Sequence, residues 1–317
     1  MKILVTGANG FVGSALLYRL ADDPAFEVLG AVRQKADTRH NRLVGDLVTW
    51  RDTDGMLAGL DAIVHCAARA HVMRDTADDP LAEFRKVNVE GTLNLAQQAA
   101  DAGVKRFIFL SSIKVNGETT HDTPFTSFQP PQPKDAYGVS KLEAEEGLRR
   151  LAHKTGMELV IVRPPLAYGP GVKGNWQALT NVVRSGIPLP LGAIHNRRSF
   201  VALENLVDLI VTCLRHPAAR GETFLVSDDK DVSTTTLLRN MAAALQRPAR
   251  LIPVPQGLLC ALLSLLGRQT IVERLCGSLQ ADISHTKETL GWKPVITMEA
   301  QLAKMTNGTS RDAIGKS

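Results

Sequence analysis

The feature that most constrains the fold is a glycine-rich turn that starts at Gly7. An apolar run at residues 3–6 leads directly into the segment Thr6-Gly-Ala-Asn-Gly-Phe-Val-Gly13. Glycines at this spacing permit a tight turn, a close approach of the backbone to a diphosphate, and close packing of the next helix on the strand. The N-terminus of that helix would face the negative charge. A plain strand-to-helix turn is the alternative, but the flanking strand and amphipathic helix favour a dinucleotide site, with contacts from Gly7, Asn9, Gly10, Phe11, Val12 and Gly13.

Short apolar runs alternate with helical patterns through the first half of the chain. The runs show little polar alternation, which indicates strands buried on both faces, as in a parallel sheet. This order of elements predicts a doubly wound α/β sheet of the Rossmann type. The predicted strands are 3–6, 28–32, 62–65, 107–111 and 159–162, and the predicted helices are 13–22, 80–102 and 137–155.

The amino-acid composition of the chain changes after Arg163. Prolines and glycines crowd residues 164–192, which predicts loops and turns. One more strand is predicted at 222–227, with helices at 234–245 and 257–279. We therefore expect a dinucleotide-binding domain over 1–165 with 205–230, and a smaller, discontinuous C-terminal substrate domain over 166–204 with 231–317.

The end of the second predicted strand bears on the choice of dinucleotide. A site for NAD usually places Asp or Glu there, where the carboxylate binds the ribose hydroxyls. The run is Glu27-Val-Leu-Gly-Ala-Val-Arg33, so Val32 stands near the place of the acid and Arg33 follows. An arginine there accepts a 2′-phosphate, which favours NADP(H), with NAD(H) as the alternative. The alternative is that Arg33 is an exposed loop residue that contacts no cofactor.

Three further residues are predicted to form a catalytic group. Tyr137 and Lys141 are four apart and share a helix face. A lysine cation near a tyrosine favours the phenolate and lowers its pKa, which makes an acid/base near neutral pH. Ser112 ends a buried strand at the carboxyl edge of the sheet, where ligands bind. Together with the glycine turn, Ser112, Tyr137 and Lys141 predict oxidoreduction.

Composition and charge exclude several classes of protein. The net charge of +5 is spread along the chain without a basic-aromatic pattern, so we expect no nucleic-acid partner. The four cysteines form no metal or disulfide spacing, and no metal site is expected. The start lacks the pattern of a signal peptide, which favours a cytoplasmic protein. The longest apolar run, 257–266, is too short to span a bilayer but leaves a weak membrane contact open.

The chain resembles the short-chain dehydrogenase/reductase superfamily, in its extended branch of nucleotide-sugar epimerases, dehydratases and reductases. The likeness covers nearly the whole length. It implies a UDP-sugar substrate and a homodimer. The residues that carry it are Thr6-Gly-Ala-Asn-Gly-Phe-Val-Gly13, Asp46-Leu47, His65-Cys-Ala-Ala68, Asn88-Val-Glu-Gly-Thr92, Ser111-Ser112, Tyr137-Gly-Val-Ser-Lys141 and Arg163-Pro-Pro165.

The resemblance also implies residue roles. Tyr137 would be the acid/base, Lys141 would hold the ribose and tune Tyr137, and Ser112 would hold the sugar oxygen. Further cofactor contacts are implied for Asp46 and Leu47 at the adenine, Ala67 and Ala68 along the cofactor channel, Asn88 behind the nicotinamide half, and Pro164. Substrate contacts are implied for Lys114, Asn175 and Arg198, with Arg198 on the diphosphate and Arg274 as a further candidate. The alternative for Lys114, and for one arginine of the pair Arg197-Arg198, is an exposed surface position without a substrate contact.

Departures from the family pattern narrow the choice among the reactions that the family catalyses. The 4,6-dehydratases of this branch carry Asp-Glu after the serine or threonine, whereas Ile113 and Lys114 stand here, which disfavours elimination of water. The run Ser-Ser-Ile-Lys-Val-Asn-Gly117 resembles a subgroup from O-antigen and surface-polysaccharide clusters. That likeness and Arg33 favour reduction of UDP-4-keto-6-deoxy-N-acetylglucosamine to UDP-N-acetylquinovosamine. A 4-epimerase of UDP-glucose or UDP-N-acetylglucosamine is the alternative; a non-enzymatic NADP sensor and a lipid-linked sugar substrate are further hypotheses.

Overall fold

The computed structural model describes residues 1–34, 40–70, 79–172 and 174–314, without the side chains of Asn175, Thr270 and 307–314. The strands are β1 Lys2–Thr6, β2 Glu27–Val32, β3 Asn41–Leu43, β4 Ala62–His65, β5 Arg106–Leu110, β6 Glu158–Arg163, β7 Leu166–Tyr168, β8 Phe200–Ala202 and β9 Thr223–Leu225. The helices are α1 Phe11–Ala21, α2 Pro80–Arg85, α3 Gly91–Asp101, α4 Ala136–Thr155, α5 Asn175–Ser185, α6 Leu203–Arg215, α7 Thr234–Ala244, α8 Gln256–Leu265, α9 Gln269–Cys276, α10 Ser284–Leu290 and α11 Met298–Ile314.

A parallel sheet with helices on both faces forms the larger part of the structure. Its strand order is β3-β2-β1-β4-β5-β6-β9, and every neighbouring pair is parallel. Successive residues of β1 point to opposite faces: Ile3 and Val5 join the core with α1 and α6, and Leu4 joins the core with α3 and α4. Both faces of the strands are buried, which explains their apolar runs. The doubly wound Rossmann-type fold is therefore confirmed.

Two predicted helices are interrupted. The prediction over 80–102 resolves into α2, a π-helical turn at Lys86–Glu90, and α3. The turn holds the buried Asn88, whose amide bonds outside its own helix. The prediction over 257–279 resolves into α8 and α9, because Gly267 adopts a left-handed conformation with φ +66°.

A third core lies outside the main sheet. Tyr168, Trp176 and Phe200 stack or meet edge to face within it, and α7 and α11 pack around them. The chain crosses between the cores more than once: Ile283, Leu290 and Trp292 pack on the first core although they follow α9. The division into 1–165 with 205–230 and 166–204 with 231–317 stays a prediction.

The helices that the structure describes include long and apolar examples, but none of them combines the length and the apolar character needed to cross a bilayer.

Candidate active site

The glycine turn packs so closely that side chains cannot replace its glycines. A Cβ on Gly13 would lie 2.2 Å from the Gly7 carbonyl oxygen, and a Cβ on Gly7 would lie 2.8 Å from the Ala67 nitrogen. Gly7 also has φ +64°, which favours glycine, and its carbonyl accepts a 2.8 Å hydrogen bond from the Gly10 nitrogen. No side chain caps α1, whose N-terminal amides therefore remain available to an anion. This cradle fits the diphosphate of a dinucleotide.

Asn9, Phe11 and Val12 lie on the same turn. Asn9 is exposed beside the exposed Gly10, and Phe11 and Val12 are half-buried at the start of α1. The structure thus brings the six residues predicted from the glycine pattern to one surface.

A buried hydrogen-bond chain joins the end of β1 to the end of β4. The two ring nitrogens of His65 lie 2.7 Å from Thr6 Oγ1 and 2.9 Å from Thr92 Oγ1, and the Ala67 nitrogen donates to Thr6 Oγ1 at 3.2 Å. Burial, with a smaller effect of the Lys141 cation, lowers the pKa of His65 to about 3. His65 is therefore a neutral residue that helps to hold Ala67 against Gly7. Neither His65 nor Thr6 was predicted to have a role of its own.

The residues predicted at the adenosine end lie at the carboxyl edge near β2 and β3. Val32 is buried, and Arg33 is exposed directly after β2. Asp46 is exposed and accepts a 3.0 Å hydrogen bond from the Val48 nitrogen, while Leu47 is half-buried. Residues 35–39, which follow Arg33 closely, lie outside the described residues.

Ser112, Tyr137 and Lys141 meet at the carboxyl end of β5. Ser112 starts the 3-10 turn Ile113–Val115 and accepts a hydrogen bond from the Lys114 nitrogen at 3.2 Å. Tyr137 lies in the first turn of α4, with its phenol near enough to the Ser112 side chain for Ser112 to lower the pKa of the phenol. Lys141, one turn later, is buried, and its Nζ donates to the Leu110 carbonyl at 2.8 Å.

The pKa of Tyr137 departs from the expectation that a nearby lysine would lower it. The pKa of Tyr137 is raised above its ordinary value, first by burial and then by the Asp135 carboxylate, and the Ser112 side chain opposes this rise. The Lys141 Nζ donates to the Leu110 carbonyl and lies 4.3 Å from the Phe109 ring centroid. Burial in turn lowers the pKa of Lys141 to about 8, against the opposing effects of Cys66 and Glu145.

A buried ion-pair network that the sequence analysis missed supports the triad. Arg163, the last residue of β6, donates to both carboxylate oxygens of Glu145 at 2.9 and 2.5 Å, and its third nitrogen donates to Asn116 at 3.0 Å. The Ser111 hydroxyl donates to the same carboxylate at 2.5 Å. The only sequence signals were the four-residue spacing of Glu145 from Lys141 and the position of Arg163 at a strand end.

Asn88 has all of its hydrogen-bonding groups engaged by protein. Its oxygen accepts from the Arg69 nitrogen at 2.8 Å, and its nitrogen donates to the Arg69 carbonyl and to the Ser140 hydroxyl. Ser140 in turn donates to the Tyr137 carbonyl at 2.8 Å. Asn88 thus ties the chain after β4 to the first turn of α4. Ala67 and Ala68 lie just before Arg69 at the mouth of this region.

Two of the predicted substrate residues, Lys114 and Arg198, lie near Glu118. The Lys114 ammonium pairs with Asp135 and with Glu118, at 3.1 Å from the latter. The Arg198 guanidinium donates to the carbonyls of Gly277 and Arg274, and its pKa is lowered by burial, opposed by Glu118. Of the arginine pair, Arg197 is the exposed member.

For the two remaining predicted residues, the structure describes the backbone better than a role for the side chain. The Pro164 carbonyl accepts a 3.0 Å hydrogen bond from the Ile113 nitrogen, next to Ser112. The side chain of Asn175 lies outside the described residues, although its backbone begins α5.

Comparison with known proteins finds one family over most of the chain. The sequence profile of the NAD dependent epimerase/dehydratase family matches residues 3–227. A Vibrio cholerae protein named UDP-glucose 4-epimerase is 50% identical over 302 residues, which cover 94% of this chain and 92% of that protein. An Escherichia coli O157:H7 protein named N-acetyl-alpha-D-glucosaminyl-diphospho-ditrans,octacis-undecaprenol 4-epimerase is 32% identical, with 81% and 77% covered.

The fold is shared with solved structures as well. A short-chain dehydrogenase/reductase superfamily protein from Agrobacterium tumefaciens, with bound NAD, superposes with a TM-score of 0.77 and covers 100% of this chain and 99% of its own. The two sequences are 23% identical, so this likeness concerns the fold.

Glu145→Gln should destabilise the protein by about 3–5 kcal/mol, because it leaves the Arg163 cation buried without its counter-charge. Glu146→Gln is the matched control: the neighbouring residue is exposed, and its loss should change stability by less than about 0.5 kcal/mol. Urea unfolding of both variants measures the difference. Equal stability of the two variants would show that the buried pair does not hold the site together.

Lys141→Met should remove a pH-dependent part of the stability. The folded-state pKa of Lys141, about 8, lies below the ordinary 10.5, so between these values the unfolded chain binds more protons and stability rises with pH. Relative to Lys141→Met, the wild-type protein should gain about 2 kcal/mol between about pH 7.5 and about pH 9.5. Urea unfolding at both pH values measures this gain. Parallel pH dependences of the two proteins would contradict the assignment.

Proposed function

Since the chain belongs to the NAD-dependent epimerase/dehydratase family, we propose that it catalyses oxidoreduction at C4 of a UDP-linked hexose, acting as a 4-epimerase. The observation that carries the chemistry is the meeting of Ser112, Tyr137 and Lys141 beside the glycine cradle. The Vibrio cholerae relative, at 50% identity, supports 4-epimerisation as the form of that chemistry. This reverses the preference drawn from the sequence, in which the keto-reductase came first.

The cofactor is proposed to lie across the carboxyl edge of the sheet. Its diphosphate would rest on the cradle of Gly7, Gly10 and Gly13, where the exposed amides of α1 attract an anion. Asn9, Phe11 and Val12 would border it, Asp46 and Leu47 would contact the adenine, and Ala67, Ala68 and Pro164 would line the channel toward Lys141. When bound, the nicotinamide supplies hydride transfer at C4.

Tyr137 is proposed to move the proton of the C4 oxygen. Its raised pKa keeps the phenol protonated in the free protein, so it is ready to donate. Accepting a proton requires a lower pKa, which a cation close to the phenol would provide. Ser112, whose side chain acts on the pKa of Tyr137, would hold the same sugar oxygen. Lys141 would bind the ribose of the cofactor and add positive charge beneath the site.

Elimination of water from the sugar is disfavoured by the residues after Ser112. Ile113 is buried, and the Lys114 ammonium is held by Asp135 and Glu118. Neither side chain supplies the paired acid and base that a 4,6-dehydratase of this branch uses.

The sugar nucleotide is proposed to bind on the side of Glu118 and Arg198. Arg198 would meet the diphosphate of UDP, because it is more buried than the exposed Arg197, and its hydrogen-bond partners among the described residues are backbone carbonyls. Lys114 would act there only after exchange of one of its two carboxylate partners. Asn175 and Arg274 are further proposed contacts. A role in surface-polysaccharide synthesis is part of the same proposal.

A second candidate is the 4-keto reductase of UDP-4-keto-6-deoxy-N-acetylglucosamine. The observation that favours it is the exposed Arg33 after the buried Val32, where an acid would bind the ribose hydroxyls of NAD. A reductase exchanges its cofactor at every turnover, and NADPH suits that use. The two candidates share Ser112, Tyr137 and Lys141.

One experiment separates the candidates. The purified protein is incubated with UDP-glucose, with UDP-N-acetylglucosamine, and with UDP-4-keto-6-deoxy-N-acetylglucosamine plus NADH or NADPH. Equilibration of a UDP-hexose with its 4-epimer, without net cofactor loss, supports the epimerase. Stoichiometric oxidation of the cofactor with a 4-hydroxy product supports the reductase, and the preferred nucleotide tests Arg33. Turnover of none of these substrates would reject the proposal and favour a dinucleotide sensor.

Tyr137→Phe should lower kcat by at least about 100-fold, because the phenolic proton is lost from the reacting oxygen. Binding of the dinucleotide, measured by fluorescence or calorimetry, should persist. Tyr18→Phe is the matched control, since Tyr18 is 71% exposed on α1 and should leave kcat unchanged. Near-normal turnover of Tyr137→Phe would refute the proton-transfer role.

A further inference from the structure

Helix α8 has two apolar faces side by side. Leu259 and Leu263 pack on the third core. The adjoining face spans an arc of about 100° and is not covered by any part of the chain that the structure describes. It is formed by four leucines that are 55%, 50%, 85% and 72% exposed: Leu258, Leu262, Leu265 and Leu266. A helix that is apolar beyond its buried face indicates a surface that another phase or partner covers.

The charge around this face has one sign over a long stretch. Between Asp231 and Glu273 the chain contains four arginines and no acidic residue. Arg268 is exposed immediately after the leucines, and the exposed Arg247 and Arg250 lie shortly before α8. Leucines on a helix flanked by arginines are the pattern of a segment that lies in the interface of an anionic membrane. A second copy of the chain would bring its own arginines to the same place, which disfavours self-association through this face.

Packing on the third core holds one side of the α8–α9 hairpin, and hydrogen bonds tie its base to the neighbouring chain. Gln256 accepts a 3.1 Å hydrogen bond from the His195 nitrogen, and the Asn196 amide donates to the carbonyls of Leu275 and Gly277. The opposite end turns at Gly267, next to Leu265 and Leu266, the most exposed residues of the face. The leucine face therefore runs from Leu258 near the base to Leu265 and Leu266 at the turn.

We propose that the α8–α9 hairpin docks the protein on an anionic membrane surface by burying this leucine face among the acyl chains, with the arginines at the headgroups. The inference concerns where the enzyme works and does not depend on which sugar it uses. The hairpin also adjoins the proposed substrate side, because the carbonyls of Arg274 and Gly277 accept from Arg198. Docking would therefore place that side near the membrane surface.

The test is co-sedimentation of the full chain with vesicles of phosphatidylcholine alone and of phosphatidylcholine with phosphatidylglycerol. The wild-type protein should bind the anionic vesicles, and high salt should weaken binding. The triple variant Leu262→Ser, Leu265→Ser, Leu266→Ser should lower the partition coefficient by at least about tenfold. The matched control replaces three exposed apolar residues elsewhere, Leu43→Ser, Ile187→Ser and Val295→Ser, and should bind like the wild type.

Further measurements separate membrane docking from misfolding and from self-association. Arg268→Glu should weaken binding to anionic vesicles only, and Leu265→Ser alone, at the most exposed position, provides a variant with the least effect on folding. Thermal unfolding and turnover of a water-soluble UDP-sugar should be unchanged in all variants. Absence of wild-type binding, or equal binding by the triple variant, would overturn the proposal. So would a wild-type dimer that the leucine substitutions dissociate.

Discussion

The buried pair of Glu145 and Arg163 is the interaction on which the geometry of the site depends. Two charges buried this deeply are tolerated only when their hydrogen-bonding capacity is satisfied, and here the carboxylate accepts from Arg163 and from Ser111 while the guanidinium also reaches Asn116. The pair joins the end of β6 to the middle of α4. Since Lys141 lies one turn before Glu145, fixing Glu145 also fixes the rotation of the helix that carries Lys141 and Tyr137.

The same packing determines which groups are charged. His65 is neutral because its burial is not compensated by an anion, and its ring instead completes a chain of hydroxyl groups with Thr6 and Thr92. Lys141 is a buried amine whose proton is held only weakly, and Tyr137 is a phenol whose proton is held strongly. The protein alone thus keeps the acid form of Tyr137. A second positive charge near the phenol is what would make the proton exchangeable in both directions.

The parts of this structure that the sequence predicted are those encoded over short distances. The turn at Gly7 requires glycines for steric reasons that act within a few residues, and the central strands are apolar runs. The triad followed from a four-residue spacing and a strand end. Glu145 and Arg163 were missed because nothing local distinguishes a buried ion pair from two surface charges. The π-helical turn at Lys86–Glu90 was missed because Asn88 bonds to segments distant in sequence. Lys114 was considered without its partner Asp135, 21 residues away.

The α8–α9 hairpin shows how one segment can supply both a proposed substrate contact and an exposed apolar surface. Arg198 is held by the carbonyl groups at the end of α9, and Glu118, which faces Arg198, also pairs with Lys114 near Ser112. Charged groups therefore extend from the base of the hairpin toward the triad, with Glu118 between Arg198 and Lys114. The opposite end of the hairpin bears exposed leucines instead. Because the Arg274 and Gly277 carbonyls that accept from Arg198 lie at the base of the hairpin, a displacement of α8 and α9 would act on Arg198 and on the site that the arginine faces.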